Sequence, residues 1–369
     1  MVNYVGIVFI FSYHLVALYG IFHVNLTPLL AALTFFMYAF TGFGITMGYH
    51  RLWAHKSYTA SPLLKCILAF GGAGAAQGSI IWWSRLHRLH HRKSDTPDDP
   101  YGPQKGFWYS HILWIFENRN IKALDYIDVS DLKNDKIVYF QHKYYVYLSL
   151  LCSIVMPLVI YSIWDTLNYN TVLACIVYPI SISRICVWHS TWFVNSLAHW
   201  LGKQTYGKSG TSKDHLITAL LTLGEGYHNF HHEFPYDYRN AIKWYQYDPT
   251  KWLILLCESL NLVSNKKYVD SKIIAMNIND INGITTIDTK DYPLMTHQEY
   301  ISKDNLIIYD NYIYDIGSFI DKHPGGAATL RNAIGKDKDY VNKHMNIMNN
   351  HSNGAMNLLK TFKIATCDF

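Results

Sequence analysis

Four stretches constrain this chain more than any other feature. Tyr4 to Phe22 and Pro28 to Gly48 contain no formal charge, and each is about the twenty residues that cross a bilayer as a helix. Tyr144 to Ile163 and Thr171 to His189 repeat the pattern, the second with a single Arg184. Backbone in lipid must satisfy its own hydrogen bonds, so these stretches predict four transmembrane helices in two hairpins. The first is no cleaved signal peptide, since it lacks a basic leader and a second apolar stretch follows at once. The turns within the hairpins, His23 to Thr27 and Trp164 to Asn170, hold no Lys or Arg, whereas Arg51 to Lys143 and the chain beyond Lys203 are rich in basic residues. The positive-inside rule then places both termini and the long loops in the cytosol.

Leu63 to Trp83 is also long and apolar, but crossing there would leave the flanking histidine groups on opposite sides of the membrane. Gly71, Gly72, Gly74 and Gly78, with Gln77 and Ser79, suit a segment packed against protein or lying at the interface. Asp214 to Leu223 and Lys251 to Val263 read as amphipathic surface helices. Residues 1–276 form one membrane unit, the polar, Asn/Asp-rich 277–292 a linker, and 293–369 a small soluble unit. The six cysteines fall singly, with no CxxC, and read as reduced. A net charge of +5 with no basic run interleaved with aromatics excludes a nucleic-acid partner.

The nineteen histidines carry the chemistry. They gather in His50-Arg-Leu-Trp-Ala-His55, His87-Arg-Leu-His90-His91 and His228-Asn-Phe-His231-His232, with His199 in Asn195-Ser-Leu-Ala-His199. Helical positions i, i+3 and i+4 share a face, so each HxxHH group can aim two or three imidazoles at one point. Residues five apart do not share a face, so His50 and His55 either straddle a helix end or serve different ions. Imidazole suits iron, zinc or copper, and the absence of cysteine beside these groups argues against a structural zinc site.

HRLWAH, HRLHH, NSLAH and GEGYHNFHH, in this order around paired spans, resemble the membrane acyl-CoA desaturases of the stearoyl-CoA delta-9 type. GFWYSHILW and FPYDYR extend the likeness, which runs from about Tyr4 to Ser271. The resemblance implies an all-α integral membrane desaturase fold with a cytosolic helical cap. It implies a di-iron centre held by His50, His55, His87, His90, His91, His199, His228, His231 and His232, with Asn195 reaching one iron through a water. It further implies a bent acyl tunnel kinked at Gln77, Trp83, Thr191 and Trp192 and closed at the methyl end by Tyr38 and Gly42. Arg85 and Arg119 would face the phosphates of CoA, although Gly78, Leu86 and Asn118 depart from the residues that the family usually has there. The substrates would be acyl-CoA and O2, in a multi-pass protein of the endoplasmic reticulum membrane.

Asn305 to Ile316 alternates like two short strands around an Asp310-Asn311 turn. The following YDIGSFID and His323-Pro-Gly-Gly326 resemble the haem-binding core of cytochrome b5, a small α+β domain, here fused as in fungal desaturases. That likeness implies haem b with His323 as one axial ligand and His351 as the second, His344 being the alternative. Fusion would raise the donor's local concentration at the di-iron face. No GxGxxG fingerprint is present, so the electrons imply a separate NADH-cytochrome b5 reductase. Three functional readings follow: a delta-9 acyl-CoA desaturase, a desaturase of other regiospecificity or a lipid hydroxylase on the same scaffold, and a non-catalytic membrane-anchored cytochrome b5.

Overall fold

The computed structural model describes residues 1–118, 120–284, 290–323, 326–345 and 351–369. Among the described residues four helices are long and apolar enough to cross a membrane: Tyr4–His23, Pro28–Ala54, Tyr145–Trp164 and Tyr169–Trp200. The chain is a multi-pass membrane protein. Each hairpin is set by local chemistry. Thr27 accepts the Leu30 N–H ahead of Pro28, and Asn168 with Thr171 forms a reciprocal capping box at the start of the fourth span.

The second and fourth spans run past the expected ends at Gly48 and His189. Hydropathy stops at the first polar residues, but the helix does not, because Arg51 is buried and neutralised by Glu225 and Asp248. Gly44–Ala54, which carries His50, is a π-helix.

Leu63 to Trp83 does not cross. It folds as Pro62–Gly74 and the start of Ile80–Lys93, broken where Ala76 and Gly78 take φ of 53° and 95°. The first piece is 13 residues, roughly 20 Å at 1.5 Å per residue, too short for a bilayer core. It packs backbone to backbone on the π-helix: a Cβ on Gly44 would stand 2.2 Å from the Gly72 nitrogen.

The two expected surface helices are shorter, Leu216–Leu221 and Pro249–Ser259. Asp214 instead bridges Lys203 and Tyr227, and Leu223 and Gly224 end the first helix with positive φ. Lys251 is not on the surface; it is buried, with Nζ donating to the carbonyls of Ala241 and Lys243. The helix Ser271–Ile281 extends into the expected linker, and Asn277 is fully buried, donating to the Tyr206 carbonyl. A polar stretch reads as linker by composition, yet the Asn277 amide at its start finds partners.

The C-terminal unit has a three-stranded antiparallel sheet: Leu306–Tyr309, Tyr312–Asp315 and Lys363–Thr366. The expected hairpin is there, with Asp310 at φ 55° in its turn. The third strand has no local signature and pairs only because the chain returns. All six cysteines are free.

The contact between Gly44 and Gly72 makes a direct prediction. Gly44→Val forces two backbones apart, and overpacking of this kind costs about 1–3 kcal/mol. A lowered midpoint should appear in thermal unfolding followed by size-exclusion in detergent.

Candidate metal centre, substrate cavity and haem cleft

The nine box histidines converge as two groups. His50, His55, His87, His91 and His231 form one, and His90, His199, His228 and His232 the other; within each, one nitrogen per residue lies within 4.8 Å of the rest. His50 and His55 belong to the same group, with ring centres 4.8 Å apart. The π-helix explains this: its i→i+5 bonding, ending in His55 N–H to the His50 carbonyl, brings residues five apart onto one face at a helix end. Each HxxHH box serves both groups. His87 and His91 face the first and His90 the second, while His228 and His232 face the second and His231 the first.

The donor chemistry fits metal. Nε2 atoms meet at 3.0 Å for His50 and His231, 2.8 Å for His55 and His87, 3.0 Å for His91 and His231, and 3.0 Å for His228 and His232. Two nitrogens bound side by side at about 2.1 Å on one ion stand roughly 3.0 Å apart. Burial, then the neighbouring imidazoles, hold His55, His87, His91, His228, His231 and His232 well below the usual histidine range. The rings are therefore neutral, the form that binds a cation. His199 Nε2 is buried with no hydrogen-bond partner among the described residues.

Carboxylates behind the rings set their tautomers. His50 Nδ1 lies 2.9 Å from Glu225 Oε2, and His90 Nδ1 lies 3.0 Å from Asp99 Oδ1. His199 Nδ1 meets Thr211 Oγ1 at 2.9 Å, and that hydroxyl donates to Asp95. Such partners orient ligating imidazoles and raise their basicity. Burial opposes ionisation of Glu225, but Arg51 and then His50 outweigh it and hold the carboxyl down at about 2. Arg51 also donates to Asp248 at 2.9 Å and to the Tyr238 carbonyl at 2.8 Å. Sequence reasoning missed Arg51, Glu225, Asp248 and Asp99. Arg51 and Glu225 sit inside the quoted boxes, so their adjacency to histidine was the available signal.

Two cavities abut the first group. One of about 1110 Å³ is lined by Gln77, Trp83, His87, Thr191, Trp192 and Asn195. A smaller one, of about 40 Å³, is lined by Tyr38, Gly42, His50, Trp83, Thr191 and Leu223. Trp83 and Thr191 border both, and a hydrogen-bonded row joins them through Gln77: Trp83 Nε1 to Gln77 Oε1 at 3.3 Å and Gln77 Nε2 to Thr191 Oγ1 at 2.9 Å. Tyr38 OH meets Ser190 Oγ at 3.2 Å, and a Cβ on Gly42 would lie 2.6 Å from Leu223. Gly78, Leu86 and Asn118 line the large cavity. Arg85 is not among its lining residues; its guanidinium bonds the Leu124 carbonyl at 2.7 Å and Asp125 at 3.3 Å. Arg119 lies outside the described residues. Lys143, missed in the sequence, lines the cavity just before the third span.

In the C-terminal unit His323 and His351 line one cleft with ring centres 6.3 Å apart. One ion between two facing imidazoles, at about 2 Å from each nitrogen, gives this spacing. Phe319, Leu330, Leu358 and Phe362 supply apolar walls suited to a porphyrin. His344 is not a lining residue; its Nδ1 bonds the Tyr340 carbonyl at 2.7 Å and its ring stacks on Tyr340.

Glu225→Gln is expected to weaken metal binding 10- to 100-fold, the usual cost of losing such a partner, read as metal content after dialysis. Because the Glu225 carboxyl is depressed, its stabilising effect is present above the ordinary carboxylate value of about 4.3 and is lost as pH falls towards about 2. Acid unfolding of the wild type in that window should be blunted in the variant.

Residues 26–258 match the fatty acid desaturase family, and residues 294–368 match the cytochrome b5-like heme/steroid binding domain. A probable acyl-CoA desaturase of Schizosaccharomyces pombe is 36% identical over 98% of this chain and 77% of its own length. Acyl-CoA desaturase 1 of Saccharomyces cerevisiae is 38% identical over 89% of this chain and 66% of its own. Stearoyl-CoA desaturase 5 of Bos taurus is 36% identical over 71% of this chain and 78% of its own. With this coverage, and with clustered histidines and a paired-histidine cleft in place, the chain belongs to the fatty acid desaturase family and carries a cytochrome b5-like haem domain after its membrane domain.

Proposed function

We propose that this protein is an acyl-CoA delta-9 desaturase that forms a cis double bond between C9 and C10 of saturated C16 or C18 acyl-CoA, with electrons relayed by its own haem domain. One observation carries the reading: the cavities that meet at Trp83 and Thr191 are lined by His87 and His50 of the histidine clusters. An acyl chain threaded through them brings its middle, not its end, to the clusters.

The balance is simple. The two methylenes give up two hydrogens, O2 takes these with two further electrons and two protons, and two waters leave. Iron is the metal we infer, bound by the nine histidines with Asn195 reaching one ion through a water; when present it would supply the one-electron chemistry that activates O2 against an unactivated C–H bond. The protein's part is geometry and dryness. Gln77, Trp83 and Thr191 fix the bend, so that one C–C bond of the chain is presented. Tyr38, held by Ser190, closes the far end, and Gly42 leaves the room in which Leu223 sits. Asn195, at 7% exposure, borders the large cavity close to His199 in sequence and would orient a water there. Lys143 and Asn118 at the cavity wall are the groups nearest in kind to what a phosphate needs.

His323 and His351 would hold haem b, whose electrons come from NADH through a separate cytochrome b5 reductase. Lys and Arg crowd the loops around the clusters and avoid the hairpin turns, which supports a cytosolic active face in an endoplasmic reticulum membrane.

Expression in a yeast strain lacking its own delta-9 desaturase tests the reading. Growth without added unsaturated fatty acid and a C9 double bond in the lipids are expected; hydroxylated products, or another bond position, favour the alternative on the same scaffold. In that host Tyr38→Gly is expected to lengthen the accepted chain by at least two carbons. His351→Ala is expected to abolish the Soret band and His344→Ala to retain it.

A further inference from the structure

The haem cleft has walls from both halves of the chain. His323 and His351 come from the C-terminal domain, while His55, His91 and His232 of the metal clusters line the same cleft from the membrane domain. Two polar atoms on that second wall are unexplained. Arg92 Nη1 donates to the Tyr126 carbonyl at 3.1 Å, but Arg92 Nε is buried without an acceptor among the described residues, and so is Ser94 Oγ. Both residues line the cleft. Buried donors without acceptors are costly and call for a missing partner. Arg92 also stands near enough to His323 to act on its imidazole electrostatically.

The domains are fastened at this place. Glu233, next to His232, accepts the Gly354 N–H at 2.9 Å, and its carbonyl accepts Ser352 Oγ at 3.1 Å. Asn357 Nδ2 donates to Asn277 and Asp280, both at 2.8 Å. A Cβ on Gly354 would lie 2.5 Å from the Glu233 carbonyl oxygen. Directional, partly buried bonds of this sort belong to a settled interface, not to a domain swinging on its tether.

We propose that the haem site is shared between the domains: His323 and His351 hold the haem iron, and Arg92, with Ser94, binds a haem carboxylate from the membrane-domain side. The carboxylates are the anionic acceptors that haem b offers, and a guanidinium N–H beside a hydroxyl is a fitting receptor for one. The haem then stays docked against the histidine clusters between electrons. This rests on the haem reading of the C-terminal domain.

The test is a potentiometric titration of full-length protein in detergent, reading the ferrous-to-ferric ratio optically at one fixed potential. Loss of a cation beside the haem favours the ferric state, so Arg92→Gln is expected to lower the ratio several-fold and Arg92→Lys to restore most of it. Gly354→Leu wedges the interface from the haem-domain side, a change that an undocked domain would not feel. It is expected to lower the ratio likewise, with no further fall when Arg92→Gln is added. An unchanged ratio in Arg92→Gln, equal effects of Gln and Lys, or a full further fall in the double variant overturns the shared site. A wild type without a Soret band overturns the haem reading and this proposal together, which separates the two failures.

Discussion

The buried ion network of Arg51 with Glu225 and Asp248 is what the rest of the membrane domain hangs on. A guanidinium with 1% exposure at the end of a transmembrane helix is tolerable only if its charge is met and its donors are used. Here two carboxylates and a backbone carbonyl do so. That lets the second span continue as π-helix beyond its apolar stretch, which delivers His50 and His55 to one group. The same Glu225 then holds the Nδ1 face of His50, so the residue that neutralises the arginine also aims the imidazole. Asp248 accepts backbone N–H groups of Asn240, Ala241 and Lys251 and so anchors the segments that follow the last span to the second span.

From this anchor the electrostatics divide the molecule. Around the clusters, burial keeps most of the imidazoles neutral and ready for cations, while the outer nitrogens of His50 and His90 turn to carboxylates and that of His199 to a hydroxyl. The larger cavity is walled in part by aromatic and apolar side chains such as Ile10, Trp83, Trp188 and Trp192, with Gln77 and Thr191 among its polar residues. The larger cavity and the first histidine group thus meet at a boundary between two dielectric regions, where exclusion of water strengthens whatever charges remain.

Much of this was legible in the linear order. Uncharged runs of about twenty residues announce spans because lipid offers the backbone no partners. The two HxxHH boxes announce a metal site because so many imidazoles at i, i+3 and i+4 have no other use. The Asp310-Asn311 turn between alternating strands announces a hairpin. Less legible were the ends of elements: Arg51 reads as a stop signal until its distant partners are known, and Asn277 reads as linker until Tyr206 and Asn357 accept and donate to it. Arg85 reads as a phosphate partner, yet the carbonyl of Leu124 holds it.

The sequence alone determined which segments enter the bilayer and which residue types are offered as metal donors, because each depends on composition or short-range spacing. Only the tertiary structure decided which imidazole joins which group. His87 and His90 stand three apart yet part company, while His50 and His231, 181 residues apart, meet at 3.0 Å. It also decided that His351 and not His344 faces His323, and that the cleft between them reaches His55, His91 and His232 of the histidine clusters. Those outcomes turn on helix handedness, an i→i+5 turn and buried long-range hydrogen bonds, none of which a local pattern encodes.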